Sequence, residues 1–355
     1  MDFSKRLIDW YEVHKRDLPW RQTIDPYIVW LSEIILQQTR VDQGLPYFQM
    51  FKENHPTVQS LASASNEEVM RLWQGLGYYS RARNLHKAAK TVVEKHGGSF
   101  PNTFEDLLSL PGIGPYTASA IASFCYNLPH AVVDGNVIRV ISRFYGITEP
   151  VDQSDTKKKL DQLAHQLLSK NDPSTHNQAI MEFGALYCKP VAPDCDQCIF
   201  KTECVAHRRG VVHEIPFKSG KTKIRNRYFN YLITTEMGIT LLRKRTGKDI
   251  WQDLFEPPMI ESNASLSAQE IKETTLWKEL FGNKKIDVSS VRDRKPHKLS
   301  HQTIHCRIFF LDAILDANDL KSKGIVSAQN RELDKYAVPR VIEQLFEECV
   351  EGYGN

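Results

Sequence analysis

Four cysteines, Cys188, Cys195, Cys198 and Cys204, fall within 17 residues in the spacing C-x6-C-x2-C-x5-C. No other feature restricts the folding of this chain so tightly. Thiolates this close can surround one metal centre, and binding would then hold the whole loop in one conformation. A zinc site is open on spacing alone. Zinc ribbons, however, usually pair two C-x2-C knuckles, and this loop has one short pair. A cluster of four irons and four sulfides is larger and accepts a looser loop, and the spacing favours it. The leftover Cys125, Cys306 and Cys349 read as small buried hydrophobes.

Metal ligation rather than disulfide pairing suits a reducing compartment. No apolar run reaches the roughly 18–20 residues needed to span a bilayer, and Met1 to Trp10 lacks a signal-peptide layout. The expectation is an intracellular protein without membrane association, cytoplasmic or nucleoid-bound if bacterial. At 355 residues, 41% hydrophobic and 25% charged, the chain can bury the cores of two domains.

The first 210 residues read as helical. Asp25-Pro26 is a helix start, an N-cap followed by proline, with Ile28, Leu31, Ile34, Ile35 and Gln38 at helical spacing behind it. Gly114-Pro115 and Asp134 before Val137 open two more helices, and Asp155 to Leu168 places Leu160, Leu163 and Leu167 on one face. Residues 208–227 then concentrate arginine and lysine around Pro216, Ser219 and Gly220, the chemistry of a solvated tether or of a strap along DNA. Tyr228 to Thr235 and Ile239 to Leu242 read as a hairpin turning near Met237-Gly238. Thr303 to Leu311 reads as a strand, and 267–281 and 338–349 as helices. The predicted organisation is a helical region over 1–210, a basic linker over 211–226 and a mixed α and β domain over 227–355.

The net charge of +3 says little about a partner. Leu110-Pro111-Gly112-Ile113-Gly114 says more. Two glycines around one apolar residue expose backbone amides just ahead of a helix N-terminus, a nest that binds phosphate without lysine. An ordinary glycine turn is the alternative.

With the cysteine loop, this hairpin resembles the helix-hairpin-helix DNA glycosylases of the endonuclease III superfamily. Leu18-Pro19-Trp20-Arg21, Trp30 to Thr39, Gly75 to Leu85 and Val133-Asp134-Gly135-Asn136-Val137 are similar to the adenine DNA glycosylase (MutY) branch. The resemblance implies an all-α catalytic region, with a six-helix barrel over about 24–130 and a cluster domain from 1–23 and 131–210. It also implies one 4Fe–4S cluster per chain on Cys188, Cys195, Cys198 and Cys204, and an α+β MutT-like (Nudix-like) second domain. Trp251 to Pro258 matches that domain's tryptophan–proline turn, but no R-E-x-x-E-E box follows, so nucleotide hydrolysis is not expected. Lyase members carry a lysine two residues beyond the second hairpin glycine. Tyr116 stands there and cannot form an imine, which implies a monofunctional hydrolase.

In that family adenine leaves after protonation at N7. Glu33, within the apolar stretch Trp30 to Leu36, is the candidate acid, since desolvation raises a carboxyl pKa. A surface glutamate and a plain N-cap are the ordinary readings of Glu33 and Asp134. The resemblance makes Asp134 the carboxylate facing the sugar cation, with Asn136 and Tyr116 beside it and Glu182 touching the adenine or the acid. It puts Arg16, Trp20 and Arg21 in the adenine pocket. It assigns DNA contact to Gln38, Thr39, Tyr78, Leu110, Gly112, Gly114 and Lys189, with the target base flipped out of the duplex. Leu299-Ser300-His301 stands where the family reads the oxidised base with Phe-Ser-His, so Ser300 and His301 are the expected contacts. The expected partner is duplex DNA with adenine opposite 8-oxoguanine or guanine, bound by a monomer. A thymine or uracil mismatch glycosylase, and a non-enzymatic scanning or redox-sensing cluster protein, are the competing readings.

Overall fold

The structure, a computed structural model, describes residues 2–220, 223–234, 238–282, 284–313 and 317–352. The expected turn at Met237 and the side chain of Cys349 lie outside the described residues. The chain divides into two compact units, Met1–Ser63 with Asn84–Lys221, and Ala64–Arg83 with Thr222–Asn355. Among the described residues, twelve α-helices run through the first two-thirds of the chain: α1 Phe3–His14, α2 Pro26–Leu36, α3 Val41–Asn54, α4 Val58–Ser63, α5 Asn66–Leu72, α6 Ser80–His96, α7 Phe104–Ser109, α8 Pro115–Tyr126, α9 Gly135–Tyr145, α10 Ser154–Leu167, α11 Pro173–Leu186 and α12 Val205–Arg208. Among the described residues, none is long and apolar enough to cross a membrane.

The helix starts expected at Asp25-Pro26, Gly114-Pro115 and Asp134 are observed, and those at Asp25 and Asp134 rest on a side-chain cap. The Asp25 carboxylate accepts the Tyr27 N–H with Pro26 at the first helical position, and Asp134 accepts the Val137 N–H. Helix α2 is buried from Tyr27 through Ile35, as an all-round apolar helix must be. It ends at Leu36, so Gln38 is not on the helix: it sits in the following turn at φ +58°. Helices α1, α9, α10 and α11 share a core of Leu7, Trp10, Ile141, Leu160, Ile180 and Phe183.

The expected tether fares differently in its first half. Val212 and Ile215 are buried with Ala206, the Val151 N–H donates to Phe217 O, and Asp152 caps the Ser219 and Gly220 amides. These bonds fasten 211–220 to the first unit.

The second unit contains β1 Arg225–Thr234, β2 Ile239–Lys244, β3 Phe255–Glu256, β4 Met259–Ser262, β5 Asp287–Asp293, β6 His297–Lys298, β7 Gln302–Asp312 and β8 Ile325–Gln329. It also has helices α13 Ala268–Lys272, α14 Thr275–Phe281, α15 Ala317–Ser322 and α16 Arg340–Gly352. Among the described residues, β1 and β2 do not pair as the predicted hairpin. Strand β1 pairs in parallel with β7 and antiparallel with β4, so both of its edges are taken, and β2 lies in a second sheet ordered β3-β2-β8. The helix expected over 267–281 is two helices, because Thr274 caps a new start by accepting the Trp277 N–H. Residues 64–83 join this unit through bonds from Gln74 to Glu343 and from the Val338 N–H to Gln74.

Candidate active site

A cavity of about 770 Å³ opens in the first unit and brings together Glu33, Asp134, Tyr116, Asn136 and Glu182. Glu33 rides on the buried face of α2 and is 9% exposed. Burial drives its carboxyl pKa from 4.5 to about 7, the hydrogen bond from the Tyr116 hydroxyl to Oε2 (2.8 Å) pulling the other way. The Tyr116 hydroxyl is itself pushed well above 10 by burial and by the nearby charges of Glu33 and Asp134, so it stays a donor at neutral pH.

Asp134 occupies the N-cap of α9, accepting from the Val137 N–H (2.7 Å) and from Asn136 Nδ2 (2.7 Å). Burial raises its pKa, while these bonds and the charge of Arg139 favour the anion. The helix N-terminus favours the anion too. The N-cap reading and the site reading therefore describe the same residue.

Glu182 was expected to touch the acid or the adenine, and its oxygens are spent elsewhere. Its side chain is fully buried and accepts from Arg16 N (2.9 Å), Arg16 Nε (2.8 Å), Arg16 Nη2 (2.6 Å) and Arg21 Nη2 (2.8 Å). Burial would raise its pKa, but the two arginines outweigh that and hold it at about 2. Glu182 is therefore a permanent anion that orients Arg16 and Arg21, and it cannot serve as the acid. Arg16, Trp20 and Arg21 all line the cavity.

Arg139 and Arg143 were not singled out in the sequence. One and two turns into α9, both are buried on the face with Asn136, opposite Val137 and Ile141, and a cation repeated at that spacing was the available signal. Arg139 donates to Asn136 Oδ1 (2.8 Å), Gly184 O (2.7 Å) and Cys188 O (2.8 Å). Arg143 donates to Ile215 O (2.9 Å) and Lys189 O (2.7 Å), and contacts Cys188 Sγ at 3.4 Å. A chain of bonds thus runs from Asp134 through Asn136 and Arg139 to the cysteine loop. Helices α9 and α11 approach so closely that a Cβ on Gly184 would meet Asn136 Cβ at 2.6 Å.

Cys188, Cys195, Cys198 and Cys204 are half-buried free thiols lining one small pocket of about 30 Å³. Among the described residues, no three His, Cys, Asp or Glu side chains are arranged to hold a single metal ion. Of the other cysteines, Cys306 is buried, whereas Cys125 is only half-buried, less than expected.

The hairpin lies between α7 and α8. Gly112 has φ +75°, and a Cβ there would meet Asn84 Cβ at 2.5 Å, so glycine is required on two counts. Among the described residues, no backbone hydrogen bond takes the Gly112 or Gly114 amide. Leu110 is a correction: its side chain is 2% exposed and its N–H donates to Leu107 O, so it anchors the hairpin instead of facing DNA. Gln38 and Lys189 are exposed, and Thr39 borders the cavity.

In the second unit, a separate cavity of about 620 Å³ gathers Tyr78, Trp251, Leu299, Ser300 and His301. The Tyr78 and Ser300 hydroxyls are hydrogen-bonded, and Ser300 and His301 are exposed.

Residues 31–169 match the HhH-GPD superfamily of base excision DNA repair proteins, and residues 230–348 match the NUDIX domain. An adenine DNA glycosylase of Buchnera aphidicola (strain APS) is 34% identical over 306 residues, covering 85% of this chain and 84% of that protein. The adenine DNA glycosylase of Homo sapiens is 45% identical over 216 residues, 58% of this chain and 40% of that protein. Among solved structures, a thermostable thymine-DNA glycosylase superposes with a TM-score of 0.55 at 27% identity, covering 58% of this chain and 95% of that one. The chain therefore belongs to the adenine DNA glycosylase family, a helical base excision repair region of the HhH-GPD superfamily followed by a NUDIX domain.

Proposed function

We propose that the chain hydrolyses the N-glycosidic bond of adenine mispaired with 8-oxoguanine or guanine in duplex DNA. The observation that carries this is Glu33, a carboxyl raised to about 7 by burial, hydrogen-bonded by Tyr116 and sharing a cavity with Asp134. An acid titrating near neutrality can give its proton to a leaving base at physiological pH. In this reading Glu33 protonates adenine at N7, and the C1′–N9 bond breaks with its electron pair passing to the base. Asp134, whose burial raises its pKa while the Val137 N–H, Asn136 and Arg139 favour the anion, faces the positive charge left on the sugar. One water is consumed: its hydroxyl stays on C1′ and its proton restores Glu33. The fixed Arg16–Glu182–Arg21 cluster supplies donors along the wall of the adenine pocket. Gly112, Gly114 and Lys189 hold phosphates, and Gln38, Thr39 and Tyr78 fill the stack around the flipped nucleotide.

Cys188, Cys195, Cys198 and Cys204 would hold one 4Fe–4S cluster. Four free thiols line one pocket, and their C-x6-C-x2-C-x5-C spacing, with one short pair instead of two knuckles, suits a polynuclear cluster better than zinc. Bound there it supplies a structural brace, since hydrolysis moves no electrons. Ser300 and His301 would read the C8 oxygen and N7 proton of 8-oxoguanine.

The test is a panel of duplexes with adenine opposite 8-oxoguanine, guanine and thymine, and thymine opposite guanine, under single-turnover conditions. Adenine release confined to the first two duplexes is expected. Thymine release, or no release from any of them, refutes the reading.

A further inference from the structure

The second unit contains an ion network centred on a buried arginine that the proposed chemistry does not use. Arg227 on β1 is 5% exposed, and all five of its side-chain N–H groups are donated. Two go to Glu261 on β4 (2.7 and 2.6 Å), two to Asp249 (2.9 and 2.6 Å) and one to Gln302 Oε1 at the start of β7 (3.1 Å). Asp249 and Gln302 both line the cavity that holds Ser300 and His301.

Asp249 also opens a loop in an unusual conformation. Trp251 and Asp253 have φ of +59° and +68°. Non-glycine residues stay in that region only where their surroundings over-determine them. Arg245 contributes, donating from Nε to Ile250 O (3.1 Å) and from Nη2 to Asp249 Oδ2 (3.0 Å). Trp251 in turn faces His297, ring centroids 6.0 Å apart. One guanidinium thus joins the tryptophan loop, the Gln302 end of β7 and the edge strand β4. Its planar fork sets direction as well as distance, which a lysine cannot do.

We propose that Arg227 is a positioning residue for recognition of oxidised guanine, holding Asp249–Trp251 and Leu299–Gln302 at the separation at which Ser300 and His301 tell 8-oxoguanine from guanine. This rests on the reading of Ser300 and His301 given above. The two bases differ by one oxygen and one proton, so the site must be held within roughly 0.5 Å. Without Arg227, the carboxylates of Asp249 and Glu261 would repel each other.

The experiment uses the full chain and duplexes carrying a non-cleavable 2′-fluorinated adenosine opposite 8-oxoguanine or guanine. It compares Arg227→Met, Arg227→Lys and the double variant Ser300→Ala, His301→Ala, reading the ratio of the two dissociation constants and the melting temperature. Arg227→Met is expected to remove much of the roughly 5- to 150-fold discrimination that such a hydrogen-bonding site can supply. Arg227→Lys, which keeps the charge and loses the fork, is expected to lose part of the ratio while the fold stays intact. If both affinities fall in proportion, Arg227 is merely structural and the proposal is overturned. Should Arg227→Met fail to fold, a folded Arg227→Lys with an unaltered ratio overturns it as well. A ratio kept by the Ser300, His301 variant overturns the reading of that cavity itself. A ratio lost there but kept by the Arg227 variants overturns the clamp alone.

Discussion

Glu33→Gln separates the cost of a buried acid from its use. Glutamine has nearly the same volume and still accepts from Tyr116, so the cavity should keep its shape. Wild-type Glu33 titrates near 7 in the folded state against an ordinary value of 4.5. Below pH 4.5 both folded and unfolded states carry the proton and the group costs nothing. Between 4.5 and 7 the unfolded chain releases the proton while the folded one keeps it, so stability falls as pH rises. At about 1.4 kcal/mol per pH unit the penalty reaches about 3 kcal/mol above pH 7. Glu33→Gln removes that titration. Denaturant melts should therefore show the variant gaining on the wild type from pH 4.5 to 7 and levelling off above, by at most about 3 kcal/mol. Adenine release should meanwhile fall by roughly 100- to 10,000-fold with binding retained. A stability difference flat across that pH range, or a variant releasing adenine at near wild-type rate, would falsify the assignment of Glu33 as a buried, protonated acid.

The single-turnover rate of the wild type should decline as pH rises through about 7, where Glu33 loses its proton, and decline again in acid as Asp134 gains one; a rate independent of pH from 5 to 9 contradicts the pair. Tyr116→Lys should put an amine beside the sugar, so borohydride should trap a protein–DNA crosslink on duplexes already holding an abasic site. No crosslink at any pH would mean that position 116 does not face C1′. Cys198→Ala should yield colourless protein with weakened DNA binding, where the wild type is brown and absorbs broadly in the visible. Full affinity in that variant would remove the brace role.

The sequence alone determined the features governed by a few neighbouring residues. Asp25 and Asp134 cap the helices they were expected to cap, because an N-cap is satisfied within one turn. Glu33 was legible as a desolvated acid because its helix is apolar on every face, and the cysteines were legible because their loop is short. Tertiary structure decided what depends on residues far apart in the chain. Glu182 was expected to touch the adenine or the acid, and its state was set by Arg16 and Arg21, 166 and 161 positions away, which make it a fixed anion. Arg139 gained its meaning only when α11 brought Gly184 and Cys188 within reach of α9. The β1–β2 hairpin failed because β7, more than seventy residues onward, takes the edge that β2 was expected to fill. Local signals fix caps, turns and burial, since the interacting groups travel together along the chain. Strand partners and buried charge pairs are chosen by topology, among alternatives that a single sequence leaves chemically equivalent.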